Sequence, residues 1–122
     1  MSSYHRNLDA WQACRELIKE VYLVTRHFPP EEKFGLVSQL RRAAVSVASN
    51  IAEGHGRWGP GETAHGLSIA LGSLAEVDSL VAVSEDLGLI TSQEVTRLET
   101  LRVRAGQLIF AMHRKILTKR SP

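Results

Sequence analysis

The stretch that decides the fold is "SQLRRAAVSVASNIAEG", Ser38 to Gly54. Leu36, Leu40, Ala44, Val47 and Ile51 step by four and three just before and through it, so at about 100° per residue they share one arc of a helix. That arc is expected to face a core. Gln39, Arg42, Ser46, Ser49 and Glu53 cluster almost opposite, where a helix in water would ordinarily show lysines and glutamates. Short hydroxyls and hydrogen-bonding forks suit the close approach of another helix, with Arg42 and Glu53 each needing a partner there. The competing reading of that face is plain solvent exposure.

Outward from this helix, three- and four-residue spacing dominates and strand alternation is absent. Trp11, Cys14, Ile18, Val21, Thr25 and Phe28 predict a first helix over about residues 8–28, stopped by Pro29. Pro30, with Glu31 and Glu32 against the helix dipole, opens the second over about 30–53, and Gly54 ends it. Pro60 and Glu62 open a third over about 61–87, and the capping box "TSQE" at Thr91 to Glu94 starts a fourth over about 92–117. Short connections between four long helices predict an all-α, antiparallel up-and-down four-helix bundle, and 122 residues with 43% hydrophobic content fit one domain over 1–122.

The third helix has more apolar surface than such a bundle uses. Leu67, Ala70, Leu74, Val77 and Val81 form one seam; Ile69, Ser73, Glu76, Leu80, Val83 and Leu87 form a second on another side. Leaving the second in water would expose a contiguous apolar patch. Burying Ile69, Leu80, Val83 and Leu87 would contribute on the order of 6 to 12 kcal/mol before association costs. Self-association is therefore expected, with that seam and the polar face of the second helix as the surfaces.

Charge is divided unevenly along the chain. From Arg97 onward seven basic residues stand against one acidic, while residues 1–96 hold eight basic and twelve acidic. In the fourth helix Val95, Leu98, Leu101, Ala105, Leu108 and Met112 form the core seam, and Arg97, Arg104, Lys115 and Lys119 lie within about 60° of one another on a different side. With Arg120 they would present phosphate-binding charge, repeated by symmetry in an oligomer, unless they are simply a solvated face.

Other motifs carry less. "GHGRWG", Gly54 to Gly59, satisfies G-x-G-x-x-G but follows a helix and not a strand, so a dinucleotide site is not expected. Arg57 and Trp58 within it could stack on a base, or belong to an ordinary connection. The five histidines never take metal-ligand spacing, and the lone Cys14 falls in a core seam, so no metal, cofactor or catalytic residue is expected and the protein reads as a non-enzyme. One cysteine and an opening without an apolar leader point to the cytoplasm, and no run of about 18 apolar residues marks a membrane span.

Taken together, "FPPEEKFGLVSQLRRAAVSVASNIAEG", preceded by Trp11 and Tyr22 and followed by "ALGSLAEVDSL", resembles the bacterial four-helix-bundle proteins related to those encoded in intervening sequences of large ribosomal RNA genes. The similarity runs from about Leu8 to Met112, with Ala48 standing where that family usually has proline. The resemblance implies a homo-pentameric ring and a distant kinship with the accessory proteins of diversity-generating retroelements, which work with RNA. Its motif positions here are Gln39, Arg41, Arg42, Ser46, Asn50, Glu53, Gly54, Ser73 and Glu76; they overlap the polar face of the second helix, and the resemblance adds Asn50 to the expected oligomer surface. Two functions follow as expectations: a non-catalytic oligomeric scaffold for RNA or DNA, or a protein-interaction module recruiting a neighbouring gene product through its acidic part or a central opening.

Overall fold

The computed structural model describes residues 5–56 and 59–120, and of Lys119 and Arg120 it describes the backbone alone. Among the described residues there are four long helices and no strand: α1 (Asp9–Thr25), α2 (Leu36–Gly56), α3 (Pro60–Asp86) and α4 (Ser92–Arg120), with short 3-10 turns at His5–Asn7 and Pro30–Glu32. Each helix packs on two others, α1 on α2 and α4, and α3 on the same two, which closes a square around one core. Ser46 meets Ser73, Gly54 meets Gly66, Glu20 meets Arg97 and Asp78 meets Arg102. Ser46 and Gly54 rise along α2 while Ser73 and Gly66 fall along α3; Leu74 also faces Gly106, and Leu8 shares a cavity with Met112 and Ile116, so α2 with α3, α3 with α4 and α1 with α4 are antiparallel.

The core takes Cys14, Leu17 and Val21 from α1, Leu40, Ala44, Val47 and Ile51 from α2, Leu67, Ala70, Leu74, Val77 and Val81 from α3, and Leu98, Ala105 and Ile109 from α4. The expected arcs of α2 and α3 are buried as read, apart from Leu36, which is half-buried. The seam of α1 is rotated: Ala10, Leu17 and Val24 are buried while Trp11 and Ile18 are only half-buried. In α4 the largest fully enclosed side chain is Ile109, outside the seam read from sequence.

Helix ends follow the local chemistry, with three corrections. α1 stops at Thr25, three residues early and ahead of Pro29, a residue type that disfavours helical backbone at the position before it; the N–H groups of His27 and Phe28 close the turn on the carbonyls of Val24 and Thr25. Pro30 opens only a 3-10 turn, and α2 proper begins at Leu36, whose N–H donates to the Glu32 carboxylate at 3.2 Å. Gly54 does not end α2, which continues to Gly56 and also runs unbroken through Ala48. Gly88, at φ +72°, closes α3, and the N–H of Leu89 reaches back to the Ser84 carbonyl at 2.9 Å. The capping box forms as read: the N–H of Thr91 donates to Glu94 Oε1 at 2.9 Å and the N–H of Glu94 to Thr91 Oγ1 at 3.1 Å.

By length and composition α3 is long and apolar enough to cross a membrane, with a mean hydropathy of 1.5 over an 18-residue window, which corrects the expectation that no segment meets that test. Gly and Ser, with Glu76 and Asp78, interrupt every strict apolar run of α3 without lowering its average below that level. Only 33% of that window is buried, so α3 carries apolar surface that its own bundle leaves uncovered.

Candidate nucleic-acid interface

α4 sets the electrostatics of one side of the molecule. Its core side, Leu98, Ala105 and Ile109, is held against the other helices, which aims the basic positions outward. Two of its arginines are spent within the fold. Arg97 donates through Nε to Glu20 of α1 at 3.0 Å. Arg102 donates to Glu99 one turn earlier on α4 and lies 3.6 Å from Asp78 of α3; its hydrogen bond to the Glu99 carboxylate and the charges of Glu99 and Asp78 raise its pKa. Arg104, Arg114 and Lys115 are exposed and make no ion pair among the described residues.

The sequence-predicted contact residues therefore divide. Arg104 and Lys115 are exposed on α4, whereas Arg97 is exposed but ion-paired. Arg57 and Trp58, and the side chains of Lys119 and Arg120, lie outside the described residues. Arg114 was not among the expected residues, because on the helical wheel it stands away from the Arg97, Arg104 and Lys115 arc. Arg104 lines a shallow depression along α4 with Thr96, Thr100, Val103 and Gln107. Lys115 sits at the edge of a cavity shared with Leu8, His55, Thr63, Met112 and Ile116, where the Nε2 of His55 is buried without a hydrogen-bond partner among the described residues. These groups can hold anionic oxygen by charge and hydrogen bonding.

The residues expected at an oligomer surface also divide. Gln39, Arg42, Ser49 and Glu53 are exposed on α2, and Ile69, Glu76, Val83 and Leu87 on α3, with Leu80 half-buried. Ser46, Asn50 and Ser73 are instead turned into the contact between α2 and α3 of the same chain. The Ser46 and Ser73 hydroxyls are 3.0 Å apart, and Asn50 Nδ2 donates to the Ser46 carbonyl at 2.8 Å and to its hydroxyl at 2.9 Å. Ser73 is buried, so these three bind α2 to α3 and correct their placement on an outer surface. The helices come close enough for hydroxyl pairing because Gly54 faces Gly66, a pair that sequence reading passed over.

Among the described residues, no three His, Cys, Asp or Glu side chains come together as a metal site would require. Cys14 is fully enclosed, and burial pushes its thiol up to about 12, so it stays protonated at neutral pH.

An aromatic and cationic cluster lies near the start of α2. The Arg41 guanidinium stacks over the Tyr22 ring at 4.3 Å and donates through Nε to the buried hydroxyl of Thr25 at 2.9 Å, tying α2 to the end of α1. Arg41 belongs to the motif "QLRRAA" and has a structural role here.

In comparisons with known proteins, no curated protein matches the chain. Residues 6–111 match the family model described as 23S rRNA-intervening sequence protein. The match takes in α1, α2 and α3 whole and α4 as far as Ala111, which leaves Arg114 and Lys115 beyond it. With most of its length matched, the chain belongs to the 23S rRNA-intervening sequence protein family.

Proposed function

We propose that the protein is a non-catalytic, homo-oligomeric scaffold that binds RNA or an RNA–protein particle through the basic side of α4. The observation that carries this reading is the exposure of Arg104 and Lys115 on one side of α4 without ion pairs among the described residues. Unneutralised cations at helical pitch suit phosphates spaced along a backbone, and each phosphate engaged releases counterions. Copies arranged in a closed ring, five by resemblance to the family, would multiply that charge on one surface. The family description, which names a ribosomal RNA intervening sequence, supports RNA over DNA as the first ligand to try.

The test is a salt titration of binding to a structured RNA. Reversal of charge at Arg104 and Lys115 should reduce the slope of log K against log salt by roughly one for each phosphate contact removed. A slope unchanged by both reversals would remove α4 from the interface.

A second reading, docking of a protein partner, is favoured by Phe34. It is 89% exposed in the connection between α1 and α2, with the Lys33 ammonium 5.5 Å from its ring. A partner that stays bound after nuclease treatment and is lost in Phe34→Ser would move the assignment to this class.

A further inference from the structure

α4 has a third face, opposite its core. Val103, Phe110 and Leu117 are exposed by 41%, 54% and 42%, and they recur every seven residues. Thr96, Thr100, Gln107 and Arg114 fill the alternate steps of four and three, all exposed, which completes the stripe of a coiled-coil seam. At about 100° per residue the stripe lies about 130–170° from Ala105 and Ile109, and about 90–110° from Arg104 and Lys115. No single bundle can cover it.

α3 bears a matching ridge. Ile69, Glu76, Val83 and Leu87 are exposed and Leu80 half-buried, again at steps of seven or of three and four. Each stripe contains one charged residue, Arg114 on α4 and Glu76 on α3, and the signs are opposite. The helices agree as wholes: α3 has Glu62, Glu76, Asp78, Glu85 and Asp86 and no lysine or arginine, while α4 is strongly basic.

We infer that the outer stripe of α4 docks on the outer ridge of α3 in a second copy of this chain. Setting Arg114 beside Glu76 fixes the register. In an antiparallel pair that choice brings Phe110 to Leu80, Gln107 to Val83 and Val103 to Leu87. A parallel pair with the same ion pair would set Phe110 against Gly72 and Val103 against His65, which pairs apolar groups with an absent side chain and a polar one. Because the two surfaces differ, the contact is head-to-tail, the type that closes into rings. The stripe used for assembly leaves Arg104 and Lys115 uncovered. The inference rests on the oligomeric reading above and supplies the mating surface that reading lacks.

Sedimentation equilibrium of the full chain and its variants tests it. Phe110→Asp should sediment as a single copy with unchanged helical circular dichroism. Glu76→Arg and Arg114→Glu should each weaken assembly at least tenfold, and combining them should restore it to near the wild-type level. An assembled wild type whose size survives Phe110→Asp, or a double variant no better than either single one, would overturn this docking mode while leaving oligomerisation intact. A wild type that stays a single copy at high micromolar concentration would overturn both.

Discussion

Gly54 of α2 and Gly66 of α3 meet backbone to backbone. A Cβ on Gly66 would stand 2.5 Å from the Asn50 carbonyl oxygen and 2.9 Å from the Gly54 Cα, and one on Gly54 would stand 3.0 Å from the Gly66 Cα. Glycine inside a helix costs about 1 kcal/mol against alanine, so its presence at both positions points to the close approach it allows. That approach lets the Ser46 and Ser73 hydroxyls bond across the interface.

Replacing Gly66 by alanine should therefore destabilise the fold by about 1–3 kcal/mol in spite of alanine's better helix propensity, because the obstructing atoms are backbone and cannot swing aside. Gly72, in the same helix, has open space around its Cβ position. Gly72→Ala should stabilise by roughly 0.5–1 kcal/mol. Urea unfolding of both variants checks the pair; equal signs would mean that the approach at Gly66 is not what limits that position.

Arg41 should behave as a stabilising residue of the α1–α2 corner. Its Nε–H donates to Thr25 Oγ1, and the Thr25 hydroxyl in turn donates to the Val21 carbonyl at 2.7 Å. Thr25→Val keeps the shape but leaves the Arg41 donor without that acceptor. Thr25→Val and Arg41→Leu should each cost about 1–2 kcal/mol, with a coupling of about 0.5–1.5 kcal/mol in the double variant. Strict additivity in thermal unfolding would show that the contact adds nothing to stability.

What could be read from the sequence was local. The buried arcs of α2 and α3 recur within a few turns, and the Thr91 to Glu94 cap depends on four adjacent residues, so periodicity and spacing reach them. Gly54 was misread as a stop because glycine commonly closes helices; only Gly66, on the next helix, reveals it as a crossing point. Ser73 is serine whether it faces water or Ser46, and Arg97 is as basic as Lys115 until Glu20, 77 residues away along the chain, is brought to it. The outer stripe of α4 was overlooked because it offers one apolar residue per seven among threonine, glutamine and arginine, too sparse to register as a seam until exposure separates it from the core.

The split among α4 cations predicts unequal effects on RNA binding. Arg97 is 55% exposed at its side chain and Glu20 17%, so the pair is largely a surface bridge, and Arg97→Ala should change stability by less than about 1 kcal/mol. Its loss should also disturb RNA affinity less than that of Lys115, which has no such tie. Binding isotherms at one fixed salt concentration for Arg97→Ala, Arg104→Ala and Lys115→Ala rank the three; Arg97→Ala as the most damaging would contradict the assignment.

Cys14 should make stability fall in strong alkali. Its thiol, ordinarily at 9.0, is raised to about 12 by burial, so between those values the unfolded chain gives up the proton and the folded chain keeps it. The contribution is complete below pH 9 and is lost as pH rises towards 12, with a limiting slope of about 1.4 kcal/mol per pH unit. Cys14→Ala lacks this titration but leaves a small void, and should be less stable by about 1 kcal/mol at pH 7. The other titrating groups are common to both proteins and cancel, so the gap between wild type and variant should narrow above pH 9 and then reverse. Urea midpoints at pH 7, 9, 10 and 11 measure it; a gap constant across that range would mean that the thiol ionises as readily in the fold as outside it.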